Sequence, residues 1–221
     1  TCFQADWVGV RGPPGRQARP PAQEGGTDAL AADLASIFTR GLAEEVAASR
    51  HDGPSVRAAT IDAMLARAAA SPDPGGKWVL ALPADRVNAA WTTVARLTAA
   101  GALGPAAKVA TTDPPGPGIP QAYQLIVYTA RFDDAADVRR VLDVLVAASL
   151  VPRAAAGARP IGYKVNAWTL LELGLAGRAA LAEWGKPRWR APFRTLYQSD
   201  RAGGGAGPAP AAAGKRPLLR V

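Results

Sequence analysis

The stretch AAKVATTDPPGPGIPQAYQLIVYT, residues 106–129, contains two strand-like runs with no helix between them, which limits the folds that the chain can adopt. The second run, YQLIVYT, is rich in aromatic and β-branched residues and is the clearest strand in the chain. The loop that joins the runs is dominated by proline and glycine, which interrupt regular structure. Parallel neighbours need a long crossover, usually a helix. This stretch therefore predicts a mainly antiparallel sheet rather than a doubly wound parallel one.

Helices and further strands are predicted on both sides of this stretch. Two more strands are KWVLAL (77–82) and IGYKV (161–165). Apolar residues recur at helical spacing in four segments, which begin after the candidate cap Asp28, after HDGPS (51–55), before Val87 and at the candidate caps Asp133 and Asp134. The order of these elements predicts an α+β fold in which helices pack on one face of the sheet.

The length of 221 residues and the hydrophobic content of 48% suit one globular domain with tails. Residues 28–200 are predicted to form this domain. Residues 1–27 are predicted to be mostly disordered, although the region around Trp7 can add a strand. Residues 201–221 are predicted to be a disordered basic tail, because their glycine, alanine and proline cannot bury enough apolar surface to offset the ordering entropy.

The formal net charge of +8 is concentrated in the C-terminal part of the chain. Residues 28–149 carry 11 basic and 13 acidic groups, whereas residues 150–200 carry 8 and 3. Residues 201–221 add 4 basic groups and no acidic group. This basic region favours a partner that carries phosphate groups, such as RNA.

Cysteine content and hydropathy predict the compartment. The single cysteine, Cys2, excludes an internal disulfide framework and any zinc site built from cysteines. No apolar run approaches the roughly 20 residues that a membrane-spanning helix needs, and no segment resembles a signal peptide. We therefore expect a cytoplasmic or nuclear protein without a membrane partner.

Motifs for common catalytic and cofactor chemistry are absent from the sequence. His51 is the only histidine and lies in a connection between helices, which argues against a Ser-His-Asp triad and a histidine-ligated metal. No phosphate-binding loop of the type GxxxxGK(S/T) occurs, and Asp113 has no acidic partner that would build a two-metal site. We therefore predict no catalytic residue, no metal and no cofactor.

Two lysines lie within short apolar strands, Lys108 in AAKVAT and Lys164 in GYKV. If the two strands are neighbours, these side chains form a cationic spot on one face of the sheet, which a phosphate or carboxylate would complement. The alternative is that each lysine lies on the solvated face that half-buried antiparallel strands possess. The two interpretations have equal weight.

Aromatic and basic residues are interleaved around Lys164 and beyond it. Tyr163 and Trp168 flank this lysine. A later segment alternates rings and cations in Trp184, Lys186, Arg188, Trp189 and Arg190. Aromatic rings stack on bases and guanidinium groups bind phosphates, so this composition favours a nucleotide or single-stranded RNA. A solvated basic strand with arginines that extend into water explains the same pattern equally well.

Several linked motifs resemble the basophilic leukemia-expressed protein family. In chain order they are GGKWVLAL, NAAWTTVARLTAAGALG, AKVAT, YQLIVYTARFDDAADVRRV, YKVNAWTLL and TLYQSDR, and the resemblance extends over residues 7–201. Lys77, Trp78, Lys108, Tyr163 and Lys164 lie at positions that match the family's motifs. The chain departs from the family pattern immediately after Lys164, where valine and asparagine replace a proline and an aspartate.

The resemblance implies a curved antiparallel sheet backed by helices, similar to the mRNA-cap-binding translation initiation factor 4E. It does not transfer the cap-binding residues, because they cannot be matched one by one to this sequence. A shared fold is also a weak argument for a shared function.

Three functions are consistent with the sequence. The leading hypothesis is a non-enzymatic binding protein for a nucleotide, an mRNA-cap-like ligand or an RNA phosphate. In this hypothesis Lys108 and Lys164 contact phosphate, whereas Tyr163, Trp168 and residues 184–194 supply stacking and further charge. One alternative is an enzyme for a small phosphorylated or carboxylated substrate, with Lys164 as acid or base and Tyr163 as its partner. Another is an adaptor that binds a further protein.

Overall fold

A computed structural model of the chain describes residues 7–13, 24–111, 122–151, 161–174, 182–183, 189, 197–198 and 219–220. The helices within these ranges are α1 (Glu24–Ala47), α2 (Gly53–Ala69), α3 (Ala84–Ala99), α4 (Ala135–Ala147) and α5 (Asn166–Gly174). The strands are β1 (Trp7–Arg11), β2 (Gly76–Pro83), β3 (Ala106–Ala110), β4 (Ala122–Thr129), β5 (Gly162–Val165), β6 (Tyr197–Gln198) and β7 (Leu219–Arg220).

The strands form one sheet in the order β1-β3-β4-β2-β5-β6-β7. Strands β3 and β4, which lie within residues 106–129, pair antiparallel, with Val109 opposite Leu125. Strand β2 lies between β4 and β5 and is antiparallel to both. Strands β6 and β7, of two residues each, extend the sheet beyond β5, and they are parallel to one another. The predicted α+β fold with a mainly antiparallel sheet is confirmed.

Side chains of one sheet face form the core with the helices. Along β2 the residues Trp78, Leu80 and Leu82 are buried, whereas the residues between them are more accessible. Helix α3 contacts four strands, and α1 packs against α2 and α5. The helices contribute further buried side chains, which include Leu34, Phe38, Met64, Val94, Val138 and Leu145. Full burial of one such side chain stabilises the fold by about 1.5 to 3 kcal/mol.

Local signals set several helix ends. The carboxylate of Asp134 accepts a hydrogen bond of 3.0 Å from the backbone N–H of Asp137, so the capping role predicted for Asp134 is confirmed. Gly101 follows α3 with a φ of 73°, which a glycine adopts without the steric cost that a side chain would add. Helix α1 begins at Glu24, four residues before the expected cap at Asp28.

The predicted tails are described only in part. The region around Trp7 does add a strand, since β1 pairs antiparallel with β3 and Trp7 lies opposite Ala110. Of residues 201–221, the structure describes only the two residues of β7. None of the helices within the described ranges combines the length and the apolar character needed to cross a membrane.

Candidate functional site

Successive residues of each strand lie on opposite faces of the sheet. The face that packs on the helices carries Trp78 and Tyr163, which are fully buried. Their neighbours in the chain, Lys77 and Lys164, therefore lie on the other face. We call this surface the lysine face and define it by Trp7 of β1, Lys108 of β3, Tyr128 of β4, Lys77 of β2 and Lys164 of β5.

The strand register places two lysines directly opposite each other. Lys77 pairs with Lys164 across β2 and β5, and with Tyr128 across β2 and β4. Like charges that face each other across an antiparallel pair destabilise the sheet. The repulsion between two such lysines is reduced either by partners within the protein or by a ligand of opposite charge.

Helix α5 compensates the two lysines unequally. The Lys164 ammonium donates hydrogen bonds of 3.0 and 2.9 Å to the two carboxylate oxygens of Glu172. The Lys77 ammonium donates a hydrogen bond of 3.0 Å to the hydroxyl of Thr169. Because α5 starts directly after β5 and residues three apart share one side of a helix, Thr169 and Glu172 both reach these lysines. Within the described ranges, Lys77 forms no ion pair with a carboxylate.

Aromatic rings contact the remaining cation of the lysine face. The Lys108 ammonium lies 4.2 Å from the centroid of the Trp7 ring and 5.9 Å from that of Tyr128. The Lys77 ammonium lies 5.9 Å from the Tyr128 centroid on the other side. A cation within about 6 Å of a ring centroid is attracted by the electrons of the ring face. Tyr128 thus lies between the two lysine side chains.

The lysine face perturbs the protonation of its own groups. The pKa of Lys77 is lowered to about 8, first by burial and then by the charges of Lys164 and Lys108, against the smaller opposing effects of the carboxylates of Glu172 and Asp73. Burial also lowers the pKa of Lys108. The pKa of the Tyr128 hydroxyl is raised, first by burial and then by the charge of Asp73. The ammonium of Lys77 is therefore poorly stabilised by the protein alone.

The condition for a joint site of Lys108 and Lys164, that their strands are neighbours, is not met. The two lysines do lie on the same face, but β4 and β2 separate their strands. Adjacent strands lie roughly 4.8 Å apart, so three steps place β3 and β5 about 14 Å apart. Lys77 lies between them and joins the two expected lysines into one cationic surface.

Three aromatic residues that were expected to stack on a ligand lie in the core instead. The Tyr163 hydroxyl hydrogen-bonds to the hydroxyl of Thr129, and its ring packs edge-on against Trp78 at 5.2 Å between centroids. Trp168 is fully buried, and the buried ring of Trp189 packs edge-on against Phe38 at 5.0 Å. Rings without accessible faces cannot stack on a bound base.

Two further expectations depend on these positions. Tyr163 and Lys164 are consecutive strand residues, so the proposed acid-base pair is divided between opposite faces of the sheet. The remaining candidates of the late basic segment, Trp184, Lys186, Arg188 and Arg190, lie outside the described residues.

Sequence reasoning missed four members of the site, which are Trp7, Lys77, Tyr128 and the hydroxyl of Thr169. Lys77 had one usable signal, because it precedes Trp78 on a strand and must lie on the face opposite that ring. Its position across from Lys164 depends on the pairing of segments that are far apart in the sequence, which no local pattern reveals.

A separate cavity of about 400 Å³ lies on the helix side, between α3 and the strands β1, β3 and β4. Its lining residues, which include Val8, Val87, Asn88, Trp91 and Tyr123, carry no charge. This cavity therefore does not suit an anion. Within the described ranges, no group of three or more histidine, cysteine, aspartate or glutamate residues is placed to hold a metal ion.

Comparison with known proteins agrees with the resemblance seen in the motifs. A family model described as basophilic leukemia-expressed protein Bles03 matches residues 26–172, which is 147 of the 221 residues. The matched region contains every member of the lysine face except Trp7. A search of curated proteins finds no match.

Proposed function

The chain belongs to the basophilic leukemia-expressed protein Bles03 family, and from its lysine face we propose that it is a non-enzymatic binding protein for a nucleotide or RNA phosphate. The observation that carries this proposal is the Lys77–Lys164 pair. The two lysines are directly opposite each other on adjacent strands, and Lys77 has a hydroxyl rather than a carboxylate as its hydrogen-bond partner within the described residues.

A phosphate group would convert this unfavourable pair into a favourable one. Hydrogen bonds between an ammonium and an anionic oxygen are stronger than those between neutral groups. A phosphate near Lys77 would also replace the hydration that partial burial removes from the ammonium. Lys108, which also has no carboxylate ion pair in the described part of the chain, would contribute a second contact to the same ligand.

The ring at the edge of the lysine face favours a ligand that contains a base. Trp7 is 36% exposed, and Lys108 already contacts its ring. Stacking of a base on such a ring is worth about 1 to 3 kcal/mol and tolerates different bases. Strands β1 and β2 are three steps apart, or about 14 Å, so a ligand that contacts both needs a base and a chain of phosphates.

An mRNA-cap-like nucleotide is one member of this ligand class. The resemblance of the motifs implies a fold similar to translation initiation factor 4E, which would fit such a ligand, and a cytoplasmic or nuclear location would give access to it. The lysine face does not favour the adaptor hypothesis. A protein partner needs a broad contact surface, whereas the half-buried Lys77–Lys164 pair is small and local.

Binding assays on the full chain test the proposal. Fluorescence anisotropy with a labelled single-stranded RNA and with nucleoside triphosphates should show affinity that falls steeply with salt. Replacement of Lys77 by methionine should weaken binding about tenfold. It should also reduce the slope of log affinity against log salt by roughly the amount expected for one phosphate contact. The matched control is Arg86→Met, which removes one exposed positive charge from α3 on the other side of the sheet.

Substitutions in the basic tail separate the lysine face from non-specific attraction. The variant with Lys215→Met and Arg216→Met removes two positive charges from residues 201–221. Retained RNA affinity in this tail variant, together with weak binding by Lys77→Met, supports the proposal. Normal affinity in Lys77→Met, or an equal loss in Arg86→Met, would overturn it.

A further inference from the structure

The amine of Lys77 lies in surroundings that favour its neutral form. The residue is half-buried, and its nitrogen donates a hydrogen bond of 3.0 Å to the Thr169 hydroxyl. Across the strand pair it faces the ammonium of Lys164, and the carboxylate of Glu172 is already hydrogen-bonded to that neighbour. A lysine in partial burial beside another cation becomes a nucleophile more readily than an exposed lysine.

The protonation of Lys77 agrees with this geometry. Its pKa is lowered from 10.5 to about 8, first by burial, then by Lys164 and Lys108, against the opposing effects of Glu172 and Asp73. At pH 7 about one tenth of such amines are neutral, compared with about one in 3,000 for a lysine of ordinary pKa. The free amine is therefore roughly 300 times more abundant at this position.

We propose that Lys77 is a carbonyl-reactive amine that forms an imine with an aldehyde or ketone group of a phosphorylated ligand bound on the lysine face. The choice of a phosphorylated ligand rests on the proposed function, whereas the reactivity of the amine does not. The nitrogen lone pair attacks the carbonyl carbon to give a carbinolamine. The carbinolamine then loses its oxygen as water, so that one amine and one carbonyl yield one imine and one water molecule.

Each neighbour has a defined part in this reaction. The Thr169 hydroxyl fixes the position of the attacking nitrogen. Lys164 faces that nitrogen across the strand pair and would attract the phosphate of the ligand towards it. Holding a carbonyl and an amine together in this way raises the effective concentration of the reaction partners.

Reductive trapping on the full chain tests the inference. The protein is incubated with pyridoxal 5′-phosphate, the imine is reduced with sodium borohydride, and the labelled lysine is identified by peptide mass spectrometry. The chain has five lysines, at positions 77, 108, 164, 186 and 215, which serve as internal references. At pH 7 we expect Lys77 to be labelled at least tenfold faster than any other, with a rate that rises through a midpoint near pH 8.

Variants separate the reaction from anion binding. Lys77→Arg keeps the positive charge, so nucleotide affinity should persist while the fast label disappears. Lys164→Met removes a cation that depresses the pKa of Lys77 and should move the labelling midpoint to higher pH, whereas Glu172→Gln should move it to lower pH. Equal labelling of all five lysines, or midpoints that do not respond to these changes, would overturn the reactivity of Lys77.

Pyridoxal without its phosphate tests the ligand class alone. We expect this aldehyde to label Lys77 selectively but several times more slowly than the phosphorylated one. Equal rates for the two aldehydes would overturn the phosphorylated ligand while leaving the reactive amine in place. If RNA binding fails but selective labelling persists, the proposed function is wrong and the imine chemistry stands.

Discussion

Two consecutive cross-strand pairs of the β2–β5 ladder have opposite character. Trp78 faces Tyr163 on the helix side, where both rings are buried and pack edge-on at 5.2 Å between centroids. One residue earlier on β2, Lys77 faces Lys164 on the other side. The first pair stabilises the sheet through apolar burial, and the second opposes it through like-charge repulsion.

The difference shows how one strand pair can carry stability and charge together. The ring pair buries its apolar surface in the core of the protein. The lysine pair depends on α5, which offers a carboxylate to one ammonium and only a hydroxyl to the other. Without an anionic ligand, the Lys77–Lys164 pair does not stabilise the protein. The lysine face is the candidate site for this reason.

The largest effect on stability that we expect comes from loss of the Trp78 ring, which packs on Tyr163. Trp78→Ala should lower the free energy of unfolding by about 3 to 5 kcal/mol, because it leaves a cavity in the core. It also removes the hydrogen bond of 3.2 Å from the indole N–H to the carbonyl of Val138. Denaturant titration measures this change. The control Trp7→Ala, at an edge position, should cost less than about 1 kcal/mol, and equal losses would contradict the comparison.

Replacement of Lys77 should have an intermediate effect of the opposite sign, because it should raise the free energy of unfolding. The pKa of Lys77 is about 8 in the folded protein, whereas the ordinary pKa of a lysine is 10.5, so the unfolded chain binds more protons between these limits and stability rises with pH there. Below pH 8 the charged form of Lys77 lowers the free energy of unfolding by about 2 to 3 kcal/mol. Lys77→Met, which also loses the Thr169 contact, should therefore stabilise the protein by about 1 to 2 kcal/mol at pH 7.

Stability measured against pH distinguishes this cause from a general packing effect. The advantage of Lys77→Met should shrink as the pH rises from 8 towards 10, because the wild-type amine then loses its proton. Arg86→Met, which lies on α3, should show no such trend. A constant difference between wild type and Lys77→Met at every pH would contradict the assigned cause.

The smallest expected effect concerns the carboxylate that neutralises Lys164. The side chain of Glu172 is 43% exposed, so Glu172→Gln should lower the free energy of unfolding by less than about 1 kcal/mol, and by less still at high salt. Nucleotide affinity should increase, because a competing anion has been removed from Lys164. The control Asp143→Asn breaks the exposed Arg139 pair on α4 and should leave nucleotide affinity unchanged. Lower affinity in Glu172→Gln would count against an anion site here.

Much of the fold could be predicted from local patterns. The proline-rich connection between AAKVAT and YQLIVYT predicted antiparallel neighbours, and β3 and β4 do pair in this way. Asp134 was expected to cap a helix, and its side chain does so. These signals operate within a few residues, where backbone geometry and side-chain chemistry act directly.

The candidate site could be predicted only in part. Lys108 and Lys164 were predicted to form one cationic spot only if their strands are neighbours; they do share a face, but two strands lie between them. Tyr163, Trp168 and Trp189 were expected to contact a ligand, yet all three are buried. An aromatic residue beside a cation has the same local sequence whether its ring lies in the core or on the ligand side.

That Lys77 and Trp78 lie on opposite faces can be read from the sequence, because side chains alternate along any strand. This alternation follows from the geometry of consecutive peptide units. The order of the strands, with β2 between β4 and β5, follows only from the packed chain. The pairing of Lys77 with Lys164 depends on it, because the two strands come from segments that are far apart in the sequence.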